Sequence, residues 1–378
     1  MNETTNQIKN EIKNEAARFP HNFGWNDDWQ KVWEAADLDR TGWTPVRMTA
    51  DFGQQFKVAT EYGEYTAESS GKLRHQAEEG RDLPAVGDWL AAELLPGERR
   101  ARIHAVLPRG SKISRKAAGA PVREQIIATN VDTLFIVSSL NGDLNVRRIE
   151  RYLIMAWNSG TRPVILLSKA DLCDRDTRVA AESDIGRAAP GVPVHAVSAQ
   201  TGEGMDELAV YLGEGQSCAL TGTSGCGKST ITNALAGLDV QRTSEIREGD
   251  SRGRHTTTHR QMFVLPGGGV LIDTPGMREL QPWEDEEDGL AGTFADIESL
   301  SGGCRFRDCT HSGEEGCAVR SAIEDGELEA GRLNSYRKTQ RELAFLERKE
   351  KSRPSSGRAD GSKRDRKERR NKDWMKDE

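Results

Sequence analysis

The sequence predicts a multi-domain chain: an N-terminal β-barrel of the OB type, a central α/β P-loop domain and a C-terminal helical domain that binds zinc. Three observations carry this. Five short strand patterns, separated by glycine turns, crowd into residues 42–107. Residues 222–229, Gly-Thr-Ser-Gly-Cys-Gly-Lys-Ser, match G-x-x-x-x-G-K-[ST] between an apolar run at 218–220 and a helical pattern at 230–236. Cys304-x4-Cys309-x-His311-x5-Cys317 gathers three thiols and an imidazole in one short segment. The expected division is a polar leader at 1–40, the barrel at 41–108, a basic linker at 109–125, the P-loop domain at 126–283, the zinc-binding domain at 284–350 and a basic tail at 351–378.

A chain of 378 residues is too long for one small domain. Hydrophobic content of 35% and a mean hydropathy of −0.68 fit a globular core with polar tails. A net charge of −7 excludes a uniformly basic nucleic-acid binder, so basic charge matters only locally. Residues 1–19 lack the apolar core of a signal peptide, and no apolar run approaches membrane-spanning length. The expectation is a soluble, cytoplasmic protein. Its six cysteines therefore point to metal binding at the 304–317 cluster and not to disulfides.

In the leader, Trp25, Trp29 and Trp33 have the spacing of one helix face, which packs on the next domain. The barrel strands fall at 44–50, 56–60, 65–68, 88–94 and 102–107. Periodicity alone leaves an SH3-like barrel or a small sandwich open. The linker carries Arg109, Lys112, Arg115, Lys116 and Arg123, read equally as solvated chain or as a strip that touches phosphates. From Val131 strands and helices alternate: strands at 134–138, 164–167, 192–197, 262–265 and 270–272, helices at 147–158, 174–188 and 205–212. Ile149, Leu153, Ile154 and Trp157 share one helix side. This pattern implies a mostly parallel sheet covered on both faces.

The phosphate loop supplies the first chemistry. Gly222, Thr223, Ser224, Gly225, Cys226 and Gly227 bring backbone N–H groups around phosphate oxygens, with Thr230 in the helix that follows. Lys228 reaches the β- and γ-phosphates, and Ser229 ligates Mg²⁺. Asp273-Thr274-Pro275-Gly276 follows an apolar strand, so Asp273 is placed to hold Mg²⁺ and the Gly276 N–H to contact the γ-phosphate. Between them, one of Thr256, Thr257 and Thr258 reaches Mg²⁺, with Thr257 the choice here. Upstream, Ser168-Lys169-Ala170-Asp171 resembles the guanine motif N-K-x-D. The Asp171 carboxylate accepts from guanine N1–H and the 2-amino group, a donor pair that adenine lacks, and the Lys169 stem lies over the ring. Ser198-Ala199 contacts the base edge. Ser168 in place of asparagine is shorter, which predicts weaker guanine affinity. Base-reading motifs precede the P-loop, the reverse of the ordinary order, so the chain reads as a circularly permuted GTPase.

This order, Gly253-Arg254-His255-Thr256-Thr257-Thr258, Asp273-Thr274-Pro275-Gly276-Met277-Arg278-Glu279, the Cys304–Cys317 segment, Ser70-Gly71-Lys72-Leu73-Arg74 and Val86-Gly87-Asp88-Trp89 together resemble the ribosome small-subunit-dependent GTPase A family (RsgA, YjeQ, YloQ) over residues 40–345. The resemblance implies a GTPase that binds the small ribosomal subunit and its rRNA, is stimulated by it, and acts in its late maturation. The expected protein is a monomer without a membrane partner, with one structural Zn²⁺ and with Mg²⁺ bound alongside GTP. Many GTPases orient water with a glutamine where this chain has Met277; the resemblance makes His255 the substitute. The basic tail, with ten Lys or Arg in 351–372, reads as an RNA-contacting arm. Two alternatives stay open: a nucleotide-gated RNA-binding module with negligible turnover, and a large-subunit assembly GTPase.

Overall fold

Five short strands between residues 44 and 106 close a barrel. In the computed structural model, which describes residues 21–38, 42–53, 55–77, 82–116, 124–141, 144–237, 260–273 and 286–351, the strands are β1 (Thr44–Asp51), β2 (Phe56–Thr60), β3 (Gly63–Ser69), β4 (Trp89–Leu94) and β5 (Arg100–Val106). β1, β2 and β3 pair in sequence, β3 runs parallel to β5, β5 pairs with β4, and β4 returns to β1. The ring removes free sheet edges. Val46, Met48, Val58, Leu90, Ala92 and Ile103 fill it. A short helix, Gly71–Gln76, starts at Ser70, whose hydroxyl accepts from Leu73 N.

The alternate residues of β4 face outward and are covered by the leader. Helix Asp27–Ala35 is capped by Asn26, which accepts from Asp28 N and Trp29 N. Trp25 precedes the cap, so it lies outside the helix, yet its ring meets Trp89 edge-on at 4.7 Å and packs with Trp33, Ala91 and Leu107. The leader is therefore part of the core from residue 21. Arg47 on β1 pins it. The guanidinium is fully buried, donates to Phe23 O at 2.6 Å, Asn130 O at 3.1 Å and Ser217 Oγ at 3.3 Å, and lies over the Trp89 ring. Burial pulls its pKa down to about 10, which still leaves it charged at neutral pH.

The segment read as a linker is structured where it is described. β6 (Lys112–Lys116) and β7 (Glu124–Thr129) form an antiparallel hairpin. Only Ile113 among residues 112–116 is apolar, too little for a strand signal, and its burial depends on the barrel and sheet beside it. Arg109 grips the buried Asp88 carboxylate through Nε and Nη2 at 2.8 and 2.7 Å, and Lys112 pairs with Glu124 at 2.7 Å. Those two cations are engaged within the chain, which weighs against the phosphate-strip reading for them.

β8 (Thr133–Ser139), β9 (Arg162–Ser168), β10 (Val194–Val197), β11 (Ser217–Gly222), β12 (Arg260–Val264) and β13 (Val270–Asp273) build the second sheet in the order β10-β9-β8-β11-β13-β12. All neighbours are parallel except β12. Leu134 and Ile136 enter one apolar cluster and Phe135 and Val137 the other, so both faces are buried. Helices Val146–Asn158, Arg175–Ala188 and Lys228–Ala236 accompany it. Two expectations change. The 205–212 helix is a 3₁₀ turn, Asp206–Tyr211, with Leu208 its buried anchor. Trp157, expected beside the buried Ile149, Leu153 and Ile154, stays 36% exposed, and its ring packs against Gly292 of helix Glu286–Thr293.

The sheets are continuous: β12 pairs with β1 at Ala50↔Gln261 and Asp51↔Arg260. Gly87 lies at this junction with φ +100°, and a Cβ there would sit 2.1 Å from Thr129 O. Gly87→Ala is expected to destabilise the protein by about 2–4 kcal/mol, read as a fall in the urea midpoint. The boundary between two compact units falls between Ser321 and Ala322, so the cysteine cluster shares a unit with both sheets. The second unit carries the charged helix Ala330–Lys351.

Candidate functional site

Parallel strands end together, and ligands of such sheets bind beyond their carboxyl ends. Here those ends carry Ser139, Ser168, Val197, Gly222 and Asp273. The P-loop leaves β11 at Gly222 with φ +141°; a side chain there would meet Val137 O at 2.2 Å, so only glycine lets the loop rise beside β8. Gly225 and Gly227 also take positive φ, and the helix begins at Lys228 with a glycine cap that offers no competing acceptor to its N-terminal amides. Lys228 Nζ arches back over the loop and donates to Gly222 O at 2.7 Å and Thr223 O at 2.5 Å. Ser224 and Gly225 are exposed, Thr223, Ser229 and Thr230 half-buried, and Cys226 buried, with its sulfur 3.6 Å from Lys228 Nζ.

The Ser168 turn is fastened to this loop. Ser168 is buried at the end of β9, and its hydroxyl donates to Cys226 O at 2.6 Å. The short side chain has the reach for a direct latch between the two loops. Lys169 then takes φ +61°, and Ala170–Leu172 forms one 3₁₀ turn that carries Asp171 out to solvent while Ala170 stays buried. β10 pairs with β9 so that Val197 lies opposite Ser168, which sets Ser198 and Ala199 next to Lys169 along the strand ends. Ser198 closes its own turn: its N–H donates to Glu203 O at 2.8 Å and its hydroxyl accepts from Thr201 N at 3.2 Å. Arg178 pairs with Glu203 and so ties the flanking helix to that turn. Asp273 ends β13 half-buried, one residue past Ile272, the partner of Ala219 on β11. The structure thus brings Lys169, Asp171, Ser198, Ala199, the P-loop and Asp273 to one rim. His255, Thr257, Gly276 and Met277 lie outside the described residues.

Replacing Ser168 with alanine removes the latch and leaves a buried carbonyl without that donor. A lost buried hydrogen bond of this kind costs about 1–2 kcal/mol. Ser168→Ala is expected to raise the GTP dissociation constant about 5- to 30-fold, measured by displacement of a fluorescent GTP analogue. Sequence reading missed the latch because its signal is a single hydroxyl.

The second cluster is Cys304, Cys309, His311 and Cys317, whose ligand atoms all lie within 4.8 Å of one another. Cys304 Sγ and Cys317 Sγ are 3.7 and 3.4 Å from His311 Nδ1 and 4.0 Å apart. Separations of this size are those of a tetrahedron around one ion with bonds of about 2.0–2.3 Å. The far side of the ring supports the fit. Ser301 Oγ donates to Ile297 O at 2.8 Å, which leaves its lone pairs to accept from His311 Nε2–H at 3.1 Å. That tautomer frees Nδ1 for the metal. The cluster can therefore hold a metal ion, and with four protein ligands it has no place for a reacting water. Ser301, on helix Ala295–Ser301, had no signal in the ligand spacing.

Comparison with known proteins agrees with these observations. The RsgA GTPase family model matches residues 106–283. Small ribosomal subunit biogenesis GTPase RsgA 2 of Lactiplantibacillus plantarum is 48% identical over 302 residues, covering 79% of this chain and 83% of that protein. Small ribosomal subunit biogenesis GTPase RsgA of Opitutus terrae is 44% identical over 313 residues, covering 81% and 85%. The crystal structure of YjeQ from Thermotoga maritima superposes with a TM-score of 0.61 at 25% identity, over 80% of this chain and 99% of that one. YloQ, described as a circularly permuted GTPase, superposes at 0.60 over 80% and 96%, and at 22% identity it speaks to the fold alone. With base-reading strands ahead of the P-loop strand, an N-terminal barrel, and relatives of this identity across four-fifths of its length, the chain belongs to the RsgA GTPase family.

Proposed function

We propose that this chain is a GTP hydrolase that binds the small ribosomal subunit, acts late in its maturation, and turns over faster with the subunit bound. The observation that carries the reading is the Ser168 latch, which fastens the Lys169–Asp171 turn to the P-loop at the carboxyl ends of β9 and β11. A base held by Asp171 and phosphates held at residues 222–229 then belong to one nucleotide. The names of the relatives supply the subunit.

Lys228, already poised over the loop, is assigned to the β- and γ-phosphates, and Lys169, Ser198 and Ala199 to the base. Ser229 and Asp273 are hard oxygen donors on neighbouring elements, a set that suits Mg²⁺, and with Thr257 they would hold it. When bound, that ion neutralises charge on the transferring phosphoryl group. Gly276 is assigned to the γ-phosphate. His255 is assigned to the attacking water, in place of the glutamine that Met277 displaces. Three thiolates and one imidazole suit Zn²⁺ in a structural role. The reading is completed by rRNA as the surface bound, a monomer, and a cytoplasmic location. Among the described residues no helix is long and apolar enough to cross a membrane.

Phosphate release from GTP and ATP, alone and with purified small or large subunits, tests the proposal. Stimulation by small subunits with GTP alone is expected. His255→Ala should then reduce stimulated turnover about 10²-fold or more and leave GTP binding within twofold. Stimulation by large subunits only, or GTP binding without turnover under any condition, would overturn it.

A further inference from the structure

The cysteine-rich turn contains a carboxylate that is not one of the four clustered ligand residues. Glu314 Oε1 accepts from Thr310 N at 2.9 Å and Thr310 Oγ1 at 2.5 Å. Its Oε2 accepts from Ser312 N at 2.6 Å and Gly313 N at 3.0 Å. Four donors, from residues on both sides of His311, therefore converge on one side chain. Charge-assisted bonds of this kind are about twice as strong as neutral ones.

The backbone explains why such a clasp is needed. His311 sits at φ +58°, a conformation that costs a non-glycine residue about 1–2 kcal/mol. Gly313 follows at φ +151°. The turn is short and mostly exposed, so apolar packing does little to hold it; His311 and Cys317 are its buried points. Yet this same turn must aim His311 Nδ1 at the sulfurs of Cys304 and Cys317. Ser301 fixes the ring from behind, at Nε2.

We propose that Glu314 is a positioning residue of the metal site: its carboxylate folds the 310–313 turn before any ion arrives, so that His311 is presented to the metal ready-made. The inference rests on the reading of the cluster as a metal centre. Glu315, the next residue, provides the internal comparison. It is exposed and pairs with Arg305 at 3.4 Å, outside the clasp.

The test uses the full-length protein as wild type, Glu314→Gln and Glu315→Gln. Glutamine keeps one oxygen but sets an NH₂ group against one of the two donor pairs. Co²⁺ is titrated with absorption as the readout, and Zn²⁺ is then competed against a chromophoric chelator. Glu314→Gln should keep the S₃N cobalt spectrum, since no ligand changes, and should bind about 10- to 100-fold more weakly. Glu315→Gln should stay within twofold of wild type. Fluorescent GTP binding in each preparation shows that the nucleotide domain is folded. Amide exchange of the chelator-treated proteins supplies the second readout: Ser312 and Gly313 should be protected in wild type and unprotected in Glu314→Gln. Equal metal affinity in wild type and Glu314→Gln would overturn the proposal, as would unprotected amides in chelator-treated wild type. Absence of Co²⁺ and Zn²⁺ binding by wild type would instead overturn the metal reading itself.

Discussion

Asp171→Asn is expected to lower affinity for GTP by about 10²- to 10³-fold and to raise affinity for xanthosine triphosphate by a similar factor. Guanine presents two donors along one edge, N1–H and the 2-amino group. A carboxylate accepts both, and each bond to a charged group contributes about 1.5–3 kcal/mol. Asparagine turns one acceptor into a donor, so one bond is lost and a donor faces a donor. Xanthine carries a carbonyl where guanine has the amino group, so the same asparagine is complementary to it. The geometry makes the exchange clean. Asp171 is exposed on a single 3₁₀ turn, so it supports no core packing. Its position is set by its neighbours: buried Ala170, Lys169 at φ +61° and the Ser168 latch on Cys226 O. None of these depends on the carboxylate. Competition of GTP and xanthosine triphosphate against a fluorescent guanine nucleotide checks the prediction. Retention of guanine preference by the variant would move base recognition away from Asp171. A combined Ser168→Ala, Asp171→Asn protein should lose affinity for both nucleotides, because the latch serves whichever base is read.

How far this site was legible follows from the range of each signal. The P-loop, the Asp171 motif and Asp273 were readable because each sits at the end of an apolar strand, and strand ends are where parallel sheets bind ligands. The barrel was readable from short strand runs divided by glycines, and its strands fall within two residues of the expected bounds. What failed to show were features made by tertiary context. The β6–β7 hairpin has one apolar residue in its first strand, so its pairing is decided by the surfaces that bury Ile113. Trp157 kept the period of its helix, but glycines at 289 and 292 admit the next helix close against it; a Cβ at Gly292 would lie 3.0 Å from the Trp157 ring. Arg47 read as an ordinary strand residue, yet it is buried by three segments at once. Ser168 acts by donating its one hydroxyl hydrogen and Ser301 by accepting at its oxygen, which no spacing rule registers. The expected catalytic His255 and the Thr257 and Gly276 positions are legible only in sequence.

Cys317→Ser is expected to abolish stable metal binding and to open the 302–309 segment while leaving the nucleotide site intact. Cys317 is the buried cysteine of the cluster, 3.4 Å from His311 Nδ1 and 4.0 Å from Cys304 Sγ, so serine replaces one sulfur of the ligand set with a hard, weakly binding hydroxyl. The segment has little else to hold it. Residues 305–308 are all exposed, and Phe306 keeps 46% of its surface. Structural Zn²⁺ contributes about 10–16 kcal/mol to the folding of small peptides of this kind, so losing it removes most of what orders residues 302–309, which lie outside the Glu314 clasp. The nucleotide rim should not follow. Its parts are fixed by β8, β9, β11 and the two apolar clusters, none of which includes a residue between 302 and 316. Hydrogen exchange should rise across 302–309 by about 10²-fold or more while Ser312 and Gly313, held by Glu314, keep their protection; metal content should fall from one ion towards none, and GTP affinity should stay within about twofold. Treating the wild type with a strong chelator should reproduce each effect, and added Zn²⁺ should reverse it in wild type but not in the variant. Stimulation by small subunits separates the two roles left for this segment. If it survives metal loss, the cluster serves only local folding. If it falls while GTP binding holds, the metal-ordered segment is part of how the subunit reaches the nucleotide.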